Sequence, residues 1–486
     1  MLRKLRIALA GLCFAGFLLL FLDVSGLFPQ RFAFLAKMQL VPALLSGSFL
    51  LVAGLVALTL LFGRVYCSIL CPLGIMQDLL SRLGGKRRFR FSKGRPWLRA
   101  GALLVFLLAF LTGTSLIFSL LEPYSTFGRI ATNLLAPIWQ SGSNILALVS
   151  ERAGNFAIGP TPVWQKGFAA LVAAVVTLGV IGVLAVRSGR TWCNTLCPVG
   201  ACLGVLHRFA LFRPRIDHGK CARCGVCAQG CKSSCIDENM IMDSSRCVAC
   251  FNCLNNCRNQ AISCAPPRRT GVSAAREASG PDLTRRAFIA AGLGITGLPA
   301  IAAARNPDER PPDLTRKKRP DRETPITPPG SSSLRAFLER CTACQLCVSS
   351  CPNHVLSAVD HGFSAMLKPT LSFERGFCRV NCVTCSQVCP TGAIQPIAKE
   401  QRSAIQIGRA ITDRERCIVT TDKVECTACT RACPTGAAVL VAGQDGPKRP
   451  AVDFERCIGC GACEYVCPVR PLAAIRVEGN LEHRRV

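Results

Sequence analysis

Histidine is scarce in this chain. There are five in 486 residues, none lies within a long apolar segment, and no C-x-x-C-H motif occurs. A membrane haem held between two histidines and a covalently attached haem are therefore both excluded. Acidic residues are also few, 29 against 58 Lys and Arg, giving a formal net charge of +29. Such an excess can serve nucleic acid, but its distribution excludes that partner. From Leu334 to Val486 there are 19 basic and 14 acidic residues, a net of only +5. The other +24 precedes Leu334, much of it in short runs beside apolar segments, such as Lys86, Arg87, Arg88 and Arg90. Basic runs flanking apolar segments are how a chain orients in a membrane. A small-residue cleavage site is missing after the first apolar stretch, where Asp23 stands instead. That stretch reads as a retained helix and not as a removed signal.

Half of the residues are hydrophobic, so some of that content must face lipid. Four long apolar segments fill the first 190 residues: Leu5–Leu22, Met38–Phe62, Leu98–Leu121 and Gly167–Val186. Each is near the ~20 residues a helix needs to cross the hydrocarbon core. Arg3, Lys4 and Arg6 place the N-terminus in the cytoplasm, and the basic Arg64–Arg99 loop and everything just after Val186 then fall inside too. Asp23 and Glu122 end the first and third segments at the outer face. They read as interfacial carboxylates facing water, and a quinol site there would use one of them as proton acceptor.

The 32 cysteines carry the chemistry. Disulfide frameworks belong to small secreted domains with irregular spacing. Here the cysteines come in tight triplets, which is ligand spacing. A cubane needs four thiolates from a sharply turning loop; C-x2-C-x2-C supplies three, and a distant cysteine, commonly followed by Pro, supplies the fourth to the neighbouring cluster. Cys341, Cys344, Cys347 with Cys351-Pro352, and Cys457, Cys460, Cys463 with Cys467-Pro468, match this pattern. Two variants lie between them: Cys378, Cys382, Cys385 with Cys389-Pro390, and Cys417, Cys426, Cys429 with Cys433-Pro434. Crossed ligation gives four sets: Cys341, Cys344, Cys347 and Cys389; Cys378, Cys382, Cys385 and Cys351; Cys417, Cys426, Cys429 and Cys467; Cys457, Cys460, Cys463 and Cys433. A further pair, Cys221, Cys224, Cys227, Cys231 and Cys247, Cys250, Cys253, Cys257, has Lys232 and Arg258 where proline is usual. Proline shapes the turn but is no ligand, so two more clusters are expected, six [4Fe–4S] centres in all. Structural zinc is the plain alternative, but zinc ribbons use paired C-x2-C knuckles.

Gly63-Arg64-Val65-Tyr66-Cys67-x3-Cys71-Pro72-Leu73-Gly74 recurs as Gly189-Arg190-Thr191-Trp192-Cys193-x3-Cys197-Pro198-Val199-Gly200. Each copy follows an even-numbered apolar segment and sits at the cytoplasmic face. Four thiols brought together could bind a metal or exchange electrons as dithiols, against the plain reading of two structural turns. Cys13, Cys202, Cys235 and Cys264 fit no pattern and read as structural.

Residues 1–265 resemble the polytopic ferredoxin-type membrane proteins (the NapH/MauN kind) of periplasmic nitrate reductase and methylamine dehydrogenase systems. The two Cys-x3-Cys-Pro repeats and the following cysteine block carry that resemblance. Residues 284–480 resemble the partner ferredoxin of the same systems (NapG/MauM), which has a twin-arginine leader and four clusters. Thr284-Arg285-Arg286-Ala287-Phe288-Ile289 with the Ala/Gly-rich stretch to Ala304 fits such a leader. The implied fold is mixed: an α-helical membrane domain of four helices, with a fifth if the leader is retained, plus small α+β bacterial-type two-cluster ferredoxin domains. The expected organisation is a membrane domain over 1–207, a cytoplasmic two-cluster domain over 208–265 and a linker over 266–283. The signal-like segment 284–304, a disordered spacer over 305–333 and a periplasmic four-cluster domain over 334–480 follow. The resemblance implies a multi-pass protein of the bacterial inner membrane. Its [4Fe–4S] clusters would pass electrons from the quinone pool, with quinol as the substrate, to a periplasmic reductase or cytochrome. The alternative is a maturation or regulatory factor for a respiratory metalloenzyme.

Overall fold

A computed structural model describes residues 2–23, 28–83, 89, 91, 94–156, 159–265, 317–360, 362–442 and 447–486. The basic run at Lys86–Arg90, except Phe89, and the twin-arginine-like segment lie outside the described residues.

The N-terminal half is helical. Helix α1 (Leu2–Leu22) is followed by α2 (Phe28–Lys37), α3 (Leu40–Leu45), α4 (Phe49–Phe62), α5 (Val65–Ile69) and α6 (Pro72–Leu83). Next come α7 (Pro96–Leu111), α8 (Ser115–Leu121) and α9 (Pro123–Ile130), which runs through a π-helical turn into α10 (Ala136–Arg152). Helices α11 (Phe168–Ser188), α12 (Thr191–Thr195) and α13 (Pro198–His207) complete this half.

By length and composition two of these, α1 and α11, each of 21 residues, could cross a membrane. The expectation of four unbroken spans, with a fifth, needs correction. The second expected segment breaks at Gly47, φ 74°, into α3 and α4, and the third at Gly113, φ 68°, into α7 and α8. The cause is local. Each glycine takes a left-handed conformation at no steric cost, and its polar neighbours bond to nearby backbone: Ser46 Oγ to Ala43 O at 3.1 Å and Thr112 Oγ1 to Leu108 O at 2.8 Å. Such side chains offer the backbone an alternative to continuing the helix. An apolar run counts residues, and a single turn inside it is easily overlooked.

The first cysteine block folds between two short antiparallel strands, β1 (Arg213–Ile216) and β2 (Ile262–Ala265), with Arg213 opposite Ala265. The C-terminal region contains three more antiparallel pairs. Strand β3 (Leu356–Ala358) pairs with β4 (Pro369–Leu371), β5 (Ile405–Thr412) with the last strand β8 (Ile475–Arg485), and β6 (Ala438–Val441) with β7 (Arg449–Val452). Residues 317–333, expected within a disordered spacer, run along this unit. Arg322 pairs with Glu464 at 2.6 Å, and Ile326 is wholly buried.

The two cysteine-rich units contact opposite ends of α11. At its start the Ala169 N–H donates to Asp360 at 2.9 Å, and Lys166 O accepts from Ala358 N–H at 2.7 Å. Past its end the Arg190 N–H donates to Lys232 O at 2.8 Å. At 1.5 Å rise per residue this helix spans about 31 Å. Helix α1 also reaches toward both units. Its Arg6 meets Asp78 near the first unit, and its Phe17 and Phe21 pack on Tyr124 and Phe127 of α9, beside the second.

Candidate cluster sites

In the C-terminal unit sixteen cysteines group by fours around cavities. One of about 320 Å³ is lined by Cys341, Cys344, Cys347 and Cys389. Another of about 320 Å³ is lined by Cys351, Cys378, Cys382 and Cys385. A third, about 330 Å³, is lined by Cys433, Cys457, Cys460 and Cys463, and the fourth, about 550 Å³, by Cys417, Cys426, Cys429 and Cys467. In each case three cysteines of one loop face the proline-linked cysteine of the other.

The loops are shaped for this. Ala343 and Gln345 adopt positive φ between the ligand cysteines, as do Gly459 and Gly461 in the last loop. A left-handed residue between successive cysteines turns the chain sharply enough to aim neighbouring thiols inward. Cavity-facing sulfurs also accept backbone hydrogen bonds, such as Ile394 N–H to Cys389 Sγ at 3.5 Å.

Burial pushes the thiols of Cys341 and Cys351 up to about 11. Desolvation disfavours a bare thiolate, and a positive centre bound among four thiols reverses that cost. Cations already stand near: Lys368 beside Cys341, Lys166 beside Cys351, and Arg402, whose Nη2 donates to Cys378 Sγ at 3.3 Å. Among the described residues no three His, Cys, Asp or Glu side chains converge closely enough to share one metal ion.

Successive cavities are neighbours. Cys347 of the first lies within electrostatic reach of Cys385 of the second. The Cys378 N–H of the second donates to Cys460 O of the third at 2.9 Å. Cys463 of the third is near Cys429 of the fourth. The first cavity touches the helical half, where Asn133 Nδ2 donates to Gln345 Oε1 at 2.7 Å.

In the first cysteine unit Cys231 lies with Cys247, Cys250 and Cys253, and Cys221 and Cys224 lie with Cys227. Cys257 Sγ accepts from Ala261 N–H at 3.3 Å. Cys235, expected to be merely structural, sits 3.3 Å from Cys231 Sγ and also bonds Cys247. Its position in the sequence, four after Cys231, carries no ligand pattern. Cys13 and Cys264 are half-buried, and Cys202 is exposed.

The structure also brings Cys67, Cys71, Cys193 and Cys197 together, all buried, at the junction of the helical half and this unit. Beside them Asp78 accepts from Arg190 at 2.8 Å and Arg6 at 3.2 Å, and pairs ionically with Lys232 at 3.1 Å. Burial alone would raise the Asp78 carboxyl, but these three cations outweigh it and hold it below the usual carboxylate range. Sequence does not single out Asp78, because a lone Asp in an amphipathic helix looks like any solvated charge. Glu122, expected to face water, is buried instead. Its carboxylate caps α9, accepting from the Tyr124 N–H at 3.1 Å and from the Ser125 N–H. A helix start buried in protein needs such an acceptor. Asp23 accepts from Phe28 N–H at 3.0 Å.

Short hairpins around cysteine-lined cavities define a bacterial-type iron–sulfur protein. The comparisons agree. A 4Fe-4S binding domain family matches residues 45–90 and 169–217, one 4Fe-4S dicluster domain family matches 340–393 and 423–470, and a second matches 242–355. The ferredoxin-type protein MauM of methylamine utilization from Methylobacillus flagellatus is 32% identical over 170 residues, 34% of this chain and 72% of that protein. The ferredoxin-type protein NapF of Escherichia coli is 30% identical over 149 residues, 31% of this chain and 84% of that protein. The ferredoxin-type protein NapH of Haemophilus influenzae is 26% identical over 213 residues, 41% of this chain and 61% of that protein. The chain spans 60% of the length of the E. coli protein YccM. No solved structure matches it significantly. The chain belongs to the ferredoxin-type proteins.

Proposed function

We propose that this chain is a membrane-anchored conduit that takes electrons from quinol and delivers them through six [4Fe–4S] clusters to a reductase or cytochrome on the far side. The observation that carries the reading is the succession of four neighbouring cysteine-lined cavities, the first of them against the helical half. When bound, a [4Fe–4S] cluster supplies reversible one-electron exchange. The chain's own part is to space the sites, exclude water and set their electrostatics. The buried Lys368, Lys166 and Arg402 place positive charge beside the first two sets, which favours the reduced, more negative state.

The two members of each crossed set come from different loops, so ligation also ties the loops together. The last cavity, with Cys417 and Cys426 only partly covered, is the natural exit toward a partner.

What supports placing the C-terminal unit outside the cytoplasm is its contact with the opposite end of α11 from the first cysteine unit. The twin-arginine-like Arg285-Arg286 supports it too, because a cluster domain loaded in the cytoplasm must cross already folded. In this reading α1 and α11 cross the membrane continuously, and the broken pairs α3/α4 and α7/α8 cross as discontinuous helices. Irregular backbone at that depth is tolerated where protein covers it.

Two measurements test this. Anaerobically purified full-length protein should hold at least about 24 iron and 24 sulfide per chain, four of each per cluster. In intact spheroplasts, external protease should remove the C-terminal unit from the wild type but not from the Arg285→Lys/Arg286→Lys variant. Protection of the wild type until lysis would return all clusters to the cytoplasm. Substantial zinc with little sulfide would remove the electron-transfer reading.

A further inference from the structure

The two copies of the Gly-Arg-x-x-Cys-x3-Cys-Pro-x-Gly motif clasp each other reciprocally. Arg64 of the first copy donates to the carbonyl of Cys193 in the second, at 3.2 Å, and Arg190 of the second donates to the carbonyl of Cys67 in the first. Each motif ends on a glycine for the same reason. A Cβ on Gly74 would strike the Cys67 carbonyl, and one on Gly200 would strike the Cys193 carbonyl. Those glycines also donate to sulfur: the Gly74 N–H to Cys71, and the Gly200 N–H to Cys197 Sγ at 3.3 Å. Gln77 Nε2 donates to Cys193 Sγ at 3.2 Å.

The result is a buried group of four thiols, two from each copy. All four lie within electrostatic reach of one another, yet no hydrogen bond joins any two of them among the described residues. The cysteine-lined cavities of the C-terminal unit share that arrangement. Among the described residues none of the four is in a disulfide, and no three of these side chains form a single-ion group.

Charge points to what belongs there. Arg6, Arg64, Arg190 and Lys232 are all buried around the group, against the single carboxylate of Asp78. Among the described residues Arg190 Nη2 and Arg64 Nε are buried and find no hydrogen-bond partner. Buried positive charge in such excess is costly unless an anion meets it. Neutral thiols do not meet it, whereas four thiolates around an iron–sulfur core do. Each match to the 4Fe-4S binding domain family encloses one copy of the motif, with too few cysteines to complete a set of four in this geometry. Only the apposition of the two copies supplies four.

We propose that Cys67, Cys71, Cys193 and Cys197 together hold a seventh iron–sulfur cluster, with Arg64 and Arg190 as the positioning residues that lock the two motif copies around it. The site lies between the two blocks of clusters. On one side Arg64 faces Cys247 and Lys232 faces Cys250. On the other, Tyr66 packs in one continuous core with Tyr124 and Cys344. The centre would therefore relay electrons between the inner and outer blocks, a role that builds on the conduit reading above.

The test compares full-length, anaerobically purified wild type with the Cys67→Ala/Cys193→Ala variant, by iron, sulfide and zinc analysis and by EPR of the reduced protein. Wild type should contain about 28 iron per chain, and the variant about four fewer iron and four fewer sulfide, with the other EPR signals retained. Cys202→Ala, at an exposed cysteine of the same region, should lose none. The proposal is overturned if the iron contents of wild type and variant agree, or if the variant loses a single zinc. Should the double variant not accumulate, a wild-type content of about 24 would overturn it equally. Because the inference is read from a difference, a failure of the six-cluster count itself shows separately, as a variant total far from 24.

Discussion

A side chain on Gly128 would collide with the backbone carbonyl of Cys344, so helix α9 and the first cysteine loop of the C-terminal unit meet backbone to backbone. Nothing larger than glycine fits there. Gly128→Val should push this contact apart, at a cost of about 1–3 kcal/mol for overpacking. Quinol-driven reduction of the C-terminal clusters should slow by about fivefold to about a hundredfold, ~1.4 kcal/mol being tenfold, if the loss is expressed in docking. Dithionite should still reduce them fully. Stopped-flow absorbance with a soluble quinol checks this, and an unchanged rate would mean that the contact does not carry the electrons.

Among the described residues Asp78 is the one carboxylate paired with Arg6, Arg190 and Lys232. Asp78→Asn keeps the shape and removes the charge. Breaking a buried ion network from one side costs about 3–5 kcal/mol. The variant should therefore accumulate poorly in membranes and melt well below wild type in detergent. Because the cations hold the Asp78 carboxyl low, its contribution is fully present above the ordinary carboxylate range and is lost only as pH falls below it. Between pH 5 and 8 the difference between variant and wild type should be constant.

His483 gives a pH dependence of its own. Burial, with Arg402 nearby, lowers it to about 4, and its Nε2 shares a hydrogen bond with Thr327 Oγ1 at 2.8 Å. The folded state therefore prefers the neutral ring. That preference stabilises fully above the unfolded value near 6.5 and is lost progressively as pH falls toward 4. Wild type should lose about 2–3 kcal/mol between pH 7 and pH 4 from this group. In His483→Gln that part of the acid sensitivity should disappear, as seen by chemical denaturation at a series of pH values.

Removing iron should act on the two halves differently. The C-terminal unit has eleven-residue β8 as its longest element and four cavities among its cysteines. With so little regular structure, ligation supplies much of its folding energy. Oxidative loss of iron should abolish its strand signal in circular dichroism and expose residues 334–486 to trypsin, whereas α1 and α11 should keep their helicity. Retention of a protease-resistant C-terminal unit without iron would contradict this.

The cysteine groupings are legible in the amino-acid sequence alone. Ligand spacing is a local property: three thiols two residues apart and a proline-linked fourth can be counted along the chain, as Cys341, Cys344, Cys347 and Cys351 show. The helical half is legible only in part. Hydropathy finds Leu2–Leu22 and Phe168–Ser188, but Gly47 and Gly113 sit inside apolar runs whose average hides a left-handed turn.

What the sequence by itself determined is the chemistry: iron–sulfur ligand spacing and a duplicated Cys-x3-Cys-Pro motif. What only the tertiary structure decided is which groups meet. Arg64 and Cys193 stand 129 positions apart, Asp78 and Lys232 more than that, and no periodicity links them. Burial settled their roles, since Glu122 reads as an interfacial carboxylate facing water and nothing in the sequence singles out Asp78 until helix packing buries both. Spacing along the chain fixes which thiols can share a loop, while the cost of burying charge fixes which distant residues must be brought together.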